Sequence, residues 1–489
     1  MAVINFKIVF KTIGFILILL GTFMLLPIAF GLYYKEHDCV IAFAISVIIC
    51  YVFGFSSFFF IKGKKKFAKR EGYLIVSLSW FVMVLFSTIP YLLALDINFA
   101  NAFFESSSGL TTTGATIFDD VESLPNTILV WRSISQWLGG MGIVVFTVAI
   151  FPILGIGGEE LFFAEAPGPT NQKLKPRIQD VAKRLWFLYL WLTLILFLLL
   201  FLACGISFFD AINHAFTIIA TGGFSTKTAS IGHFKNPLMD YITIIFVIIS
   251  SLNYSLLYFF IKGKFKRVFS NSELKFFLSF LVITILISTT ALYFNSTYSL
   301  EEAFRHMTFS VVSVVTTTGF ITTDYTFWGN PSSIFFFILF FIGGCAGSTT
   351  GGIKIVRHMV FIKNGLLEFK RILHPRAFIR LKVDGQLISG TTITHILVFL
   401  LFYFLTFIFG SIVMSFFMDG FEQPLISSFA ATATCLGNIG ISIADFRPSN
   451  TFAPLSDFPK IFLGLIMIIG RLEIFTVLIL FTSYFWKNN

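Results

Sequence analysis

The apolar positions of this chain fall into long unbroken runs. They do not follow the period of two of a half-buried strand or the 3.6 of a surface helix. Ten runs reach the roughly 20 residues that a helix needs to cross a hydrocarbon layer about 30 Å thick. They cover about residues 8–32, 39–61, 73–95, 127–153, 185–207, 238–261, 274–294, 333–358, 391–417 and 460–485. Four shorter apolar segments lie between them, about 101–113, 210–221, 301–318 and 422–434, and run into Thr, Ser or Gly. At 1.5 Å per residue a dozen helical residues cover about 18 Å. Such segments cannot cross, and are expected to enter the membrane as half-helices followed by loops. The pattern predicts an all-α polytopic membrane protein with ten transmembrane helices.

Composition agrees. Of 489 residues 56% are hydrophobic and 12% charged, against a charged share of about 25% in soluble proteins. Soluble cores stop growing near about 250–300 residues and could not hide so much apolar surface. A cytosolic enzyme, a disulfide-built secreted domain, a nucleic-acid-binding domain and a disordered chain are thereby excluded. The five cysteines, Cys39, Cys50, Cys204, Cys345 and Cys435, are odd in number and form no CxxC; they read as small buried hydrophobes. Lys7 and Lys11 precede a first run too long for a signal peptide and lacking an A-x-A site, so that run is expected to remain as an uncleaved span.

Charge orients the runs. The net +10 is not uniform. Lys62, Lys64, Lys65, Lys66, Lys69 and Arg70 follow the second run, and the loops 155–184, 262–275 and 359–384 are also basic. The alternate loops, 35–38, 96–132, 207–240, 295–332 and 418–459, hold 16 of the 25 acidic residues and 6 of the 35 basic ones. Lysine and arginine mark the cytoplasmic side. Both termini are therefore expected in the cytoplasm, with the half-helices entering from outside, and the positive charge is a topology signal that needs no nucleic-acid partner.

The four half-helices end alike: Thr111-Thr112-Thr113-Gly114-Ala115, Ala220-Thr221-Gly222-Gly223-Phe224, Thr316-Thr317-Thr318-Gly319-Phe320 and Thr434-Cys435-Leu436-Gly437-Asn438. Taking Gly114, Gly222, Gly319 and Gly437 as equivalent, the spacings are 108, 97 and 118 residues. Each repeat reads as span, half-helix, glycine loop, span (M1-P-M2). Two spans per unit insert every unit with the same orientation, so four units can close around one axis, unlike inverted repeats. The expected units are an N-terminal two-helix domain over 1–70 and repeats over 71–175, 176–268, 269–385 and 386–489. Non-helical backbone at membrane depth survives only when buried in protein or lining water. Four such loops on one axis would present carbonyl rings that replace the hydration shell of a monovalent cation. The candidate ion-lining residues are Thr112, Thr113, Gly114 and Ala115; Thr221, Gly222 and Gly223; Thr317, Thr318, Gly319 and Phe320; and Leu436, Gly437 and Asn438. The half-helix C-termini add negative potential at the centre, while Asp210, Glu301, Glu302 and Glu422 sit at their outer N-terminal ends.

Two intramembrane features stand apart. Gly343, Gly344, Cys345, Ala346, Gly347, Ser348, Thr349, Thr350, Gly351 and Gly352 interrupt one run. They read either as a close-packing surface, with Gly347 and Gly351 at GxxxG spacing, or as an unwound loop under the glycine loops that gates the path. Arg471 lies about eleven residues into the last run. A central arginine costs about 2.5–3.5 kcal/mol on insertion scales, so it should face the interior and brace the gate. Pairing with Glu473 is disfavoured at i,i+2. Arg357 reads as a snorkelling anchor. His214 and His306 read as structural histidines in the half-helices.

The strings GLTTTGATIF, ATGGFST, TTTGF, GCAGSTTGGIK and GRLEIFTVLILF resemble, in order, segments of the superfamily of K+ transporters, most closely its bacterial Trk-type members (TrkH/TrkG-like). The similarity covers about residues 73–489, and the two extra N-terminal spans resemble the additional domain of that type. The resemblance implies a K+ filter with key glycines Gly114, Gly222, Gly319 and Gly437, an intramembrane gate loop at 343–352, and Arg471 closing the path with it. Plant relatives with Ser at the first filter position favour Na+; Gly114 here implies K+. It also implies an inner-membrane homodimer with one pore per protomer, gated by a cytoplasmic ring of separate NAD- or ATP-binding, TrkA-like subunits. The chain shows no Walker A sequence and no strand-borne GxGxxG, so no organic cofactor is expected on it, and the basic loops 262–275 and 359–384 offer docking sites for the ring. The residues also leave open a secondary transporter, a cation symporter for another small solute. An enzyme is not expected, since no catalytic cluster lies at membrane depth.

Overall fold

The computed structural model describes residues 4–60, 69–142, 178–377 and 379–487. Most of the first basic cluster, the basic loop up to residue 177, and the part of the 127–153 run beyond residue 142 lie outside these residues. Among the described residues the fold is helical apart from a two-residue antiparallel hairpin, Lys382–Val383 with Gln386–Leu387.

Six helices among the described residues are long and apolar enough to cross a membrane: Phe6–Tyr34, His37–Phe59, Arg70–Ala94, Ala182–Ala203, Ser272–Asn295 and Gly390–Ser415. The number is eight if two sharply bent pairs each count as one span. Those pairs correct the expectation of unbroken spans over 238–261 and 460–485. The chain turns by 105° between Pro237–Ser251 and Tyr254–Ile261, and by 105° between Asp457–Arg471 and Phe475–Phe481. At the first break Asn253 starts a new helix, its side chain accepting from Ser255 N at 2.8 Å. At the second, Glu473 takes φ +56° and the amides of Glu473 and Ile474 turn back to the carbonyls of Gly470 and Ile469, a Schellman stop without glycine. The 333–358 run likewise splits, into Asn330–Leu339 and Ile355–Leu373.

A short helix forms over each of the four segments expected to be half-helices: Phe99–Leu110, Phe208–Ile219, Leu300–Val315 and Pro424–Gly437. Their N-termini carry side-chain caps, which satisfy amides that have no helical partner. Asn98 accepts from Asn101 N (2.9 Å), Ser207 from Asp210 N (3.0 Å), and Ser299 forms a capping box with Glu302. The fourth differs from expectation. Glu422 precedes the helix, and Asp445 does the capping, accepting from Gln423 N (3.1 Å) and Ser427 Oγ (2.6 Å).

The packing is cyclic. Each preceding span lies on its own half-helix: Lys69–Ala94, Ile178–Leu198, Ser272–Asn295 and Gly390–Ser415 on the first to the fourth. The helix that follows each loop lies on its own half-helix, and in three cases it also lies on the next. Asn126–Gly140 bridges the first and second, Pro237–Ser251 the second and third, and Asp457–Arg471 the fourth and first. The last contact closes a ring of half-helices. The first two helices and Lys69–Ala94 share one apolar core with Asn126–Gly140; the later helices share another.

Candidate functional site

The half-helices stop in the same way four times. Thr112, Thr221, Thr317 and Asn438 take left-handed φ values of +54°, +51°, +54° and +54°. The next residue's amide reaches back to the carbonyl five before it: Thr113 to Ser108 (2.9 Å), Gly222 to Thr217 (2.9 Å), Thr318 to Ser313 (2.8 Å) and Ile439 to Thr434 (2.9 Å). This is the Schellman motif, normally built on Gly or Asn. A β-branched residue at positive φ is strained by about 1–3 kcal/mol, and here threonine holds it three times.

Two residues beyond each left-handed residue comes a left-handed glycine: Gly114 (+84°), Gly223 (+85°), Gly319 (+82°) and Gly440 (+91°). By backbone conformation the equivalents of Gly114 and Gly319 are therefore Gly223 and Gly440, one and three residues on from the Gly222 and Gly437 set by spacing. Gly437 is the last residue of its half-helix. Each left-handed glycine lies against the next loop. A side chain on Gly114 would strike the Gly222 carbonyl oxygen, on Gly223 that of Thr318, on Gly319 that of Ile439, and on Gly440 that of Thr113. The four contacts run in chain order and close on the first loop. Ala115, Phe320 and Leu436 are buried beside the ring.

Sequence reasoning missed the supports behind it. Glu105, buried in the first half-helix, accepts from Arg132 Nε at 2.7 Å and from Ile117 N at 3.1 Å. Arg132 also donates to Ser225 O (3.1 Å) and lies over the Phe224 ring, 4.1 Å from its centroid. Gln136, one turn on, donates from Nε2 to Gly222 O (2.5 Å) and accepts from Phe224 N (3.0 Å). Both sit in Asn126–Gly140, and a buried charge and amide in an apolar span are the signal that could have marked them. His214 and His306 have the structural places expected, held by Asp210 O and Ser225 Oγ and by Thr322 Oγ1.

The 343–352 segment is non-helical, with Gly347 and Gly352 at φ +73° and +64°, which excludes the GxxxG reading. It is bonded on several sides. Cys345 N donates to Ser251 O (2.9 Å) and Gly347 O accepts from Tyr254 N (3.1 Å), so the loop rests on the bend of the second repeat. Ala346 N donates to Glu273 (2.6 Å). Ser348 Oγ turns back to Cys345 O (2.6 Å). Gly344 O accepts from Ile355 N (3.0 Å), and Lys354 Nζ reaches Thr350 O. Thr349 Oγ1 accepts from Thr221 Oγ1 (3.1 Å), and Gly351 N donates to Thr317 Oγ1 (2.7 Å). The loop therefore lies against the left-handed residues of the second and third half-helices. Asn438 instead donates to Thr113 Oγ1 (3.0 Å) and Met467 O (2.9 Å).

Arg471 ties this loop to the first repeat. It donates to Thr349 O (2.8 Å) and to the carbonyls of Gly139 (2.5 Å) and Gly140 (3.1 Å). As expected, Glu473 pairs elsewhere, with Arg357. That pair corrects the snorkelling assignment of Arg357, which is buried and lies over Phe399 at 3.8 Å. At the capped ends, the Ser299 amide and hydroxyl hold the Glu302 carboxyl below its ordinary pKa range.

A profile of the TrkH family, described as "cation transport protein", matches residues 40–487. TrkH of Halomonas elongata, a Trk system potassium uptake protein, is 35% identical over 99% of this chain and 100% of its own. TrkH of Escherichia coli K12 is 37% identical over 99% and 100%, and TrkG of that strain 34% over 99% and 99%. The crystal structure of the potassium transporter TrkH from Vibrio parahaemolyticus superposes with a TM-score of 0.88, at 35% identity, over 99% of this chain and 100% of that one. This chain is a membrane protein of the TrkH family of cation transport proteins, a transporter and not an enzyme.

Proposed function

We propose that this chain is the pore-forming membrane subunit of a potassium uptake system. The observation that carries the reading is the closed ring of four left-handed glycines, each against a carbonyl oxygen of the next loop. Carbonyl oxygens held in a ring can replace the water shell of K+. The filter consists of 112–115, 221–223, 317–320 and 436–440. The segment 344–352 is the gate, braced by Arg471. K+ is the cargo, and no organic cofactor resides on this chain.

The ten-helix layout belongs to the same proposal. Each bent pair counts as one span, and Asn330–Arg357 crosses with the gate loop inside it. The units are 1–70, 71–175, 176–268, 269–385 and 386–489. Both termini lie on the cytoplasmic side of the inner membrane, where the basic loops 262–275 and 359–384 receive a nucleotide-binding ring. Two chains form the dimer.

Flux in vesicles tests the reading. Purified protein should accumulate Rb+ or K+ under an imposed voltage and take up far less Na+. Uptake driven only by an H+ or Na+ gradient would replace channel-like permeation by symport, and no cation-dependent flux at all would overturn the proposal. Gly114→Ser should raise Na+ uptake relative to Rb+.

A further inference from the structure

The four loops share their helix stop and their left-handed glycine, but not how the residue between is held. Thr113, Thr318 and Ile439 fill that middle position with side chains, and the second loop has Gly222. A Cβ on Gly222 would meet the amide of Gln136. Gln136 is fully buried and comes from another element, Asn126–Gly140. Its amide is used at both ends with matched polarity: Nε2 donates to Gly222 O at 2.5 Å, and Oε1 accepts from Phe224 N at 3.0 Å. Gly222 O is the oxygen against which Gly114 packs. Among the described residues it alone of the four ring carbonyls accepts a hydrogen bond.

We propose that Gln136 is a positioning residue for ion selection. It sets where the Gly222 carbonyl stands in the ring without touching the ion. This rests on the filter reading of the preceding subsection and deepens it. Selectivity in a carbonyl ring depends on the number, field strength and mobility of its oxygens, and a tethered oxygen cannot shift to suit a smaller ion as its three neighbours can. Gln136 is also well placed to hold a position. One turn before it, Arg132 is fixed to Glu105 and to Ser225 O; three and four residues after it, the Gly139 and Gly140 carbonyls are gripped by Arg471. The glycine at 222 then has a steric purpose: it leaves room for the amide.

The test is the Rb+/Na+ flux ratio of the full-length protein in vesicles, normalised to protein incorporated. Gln136→Met keeps the approximate size but removes both the donor and the acceptor, and should lower the ratio by roughly tenfold, the scale of one lost buried hydrogen bond. An unchanged ratio overturns the proposal. Should that variant fail to insert, the steric half decides. Gly222→Thr should block transport, and Gly222→Thr combined with Gln136→Ala, which clears the space, should restore it. Equal behaviour of the single and double variants overturns the proposal. Gly114→Ser and Gly319→Ala separate the two levels. If they change the ratio and Gln136→Met does not, only the role of Gln136 falls; if none of the three changes it, the filter reading falls first.

Discussion

Thr112, Thr221 and Thr317 hold a backbone conformation that glycine or asparagine would adopt at lower cost. For two of them the side chain supplies a reason. Thr221 and Thr317 bond the 343–352 segment, so the strained residue ends one helix and holds that segment at once. The glycines two residues on are constrained twice, by positive φ and by the neighbouring carbonyl. Gly440→Ala should therefore lower uptake and its Rb+/Na+ ratio, whereas Gly390→Ala, at an open helix start, should leave both near wild type; Rb+ and Na+ uptake in a potassium-dependent host checks both. The sequence made these loops visible through Thr-rich strings ending in glycine, but it left the register of the second and fourth to guesswork. Gly222-Gly223 offers two candidates, and in the fourth loop the left-handed position falls to Asn438, which asparagine tolerates. Behind the loops, Arg132 and Glu105 form a buried pair. Arg132→Met alone strands a buried carboxylate and should cost about 3–5 kcal/mol. Glu105→Gln with Arg132→Met should cost clearly less, as read from thermal unfolding in detergent.

Among elements, the 343–352 loop and the bent helices depend on one another. The loop has no helical bonding of its own and is held by Ser251 O, Glu273, Thr317 and Arg471. Removing the one long cation that joins it to Gly139 and Gly140 should loosen it. Arg471→Ala is expected to raise basal Rb+ leak through protein of normal abundance, and an unaltered leak would overturn the proposed bracing role. The break in the last helix serves the same contact. It ends the helix at Arg471 and brings Glu473 to Arg357, two placements that a continuous helix would not combine. The glycine cluster announced the first unwound segment by composition. The break at 472–474 has no Gly or Pro, and so nothing in the local sequence foretold it.

At the scale of the whole molecule, a carboxylate adds a polar clasp to the apolar core that the N-terminal helices share with Lys69–Ala94 and Asn126–Gly140. The Glu36 carboxylate accepts from Asn126 N (2.8 Å), Thr127 N (2.9 Å) and Thr127 Oγ1 (2.6 Å), capping the helix that carries Arg132, Gln136 and the carbonyls used by Arg471. Glu36→Ala should lower thermal stability by about 0.5–2 kcal/mol, the range for a lost cap, and a detergent melting curve would show it. What the sequence determined by itself was everything set by solvent and chain length. Apolar runs of membrane thickness, half-helices too short to cross, and an uneven charge distribution are local or summed properties, and hydrocarbon leaves few ways to satisfy them. The tertiary structure alone decided which glycine faces which carbonyl, why Gly222 has no side chain, and which carboxylate meets Arg357. Those depend on groups about a hundred residues apart, brought together only when four half-helices close into a ring, and no spacing along the chain encodes the ångström-scale offsets that choose among adjacent glycines.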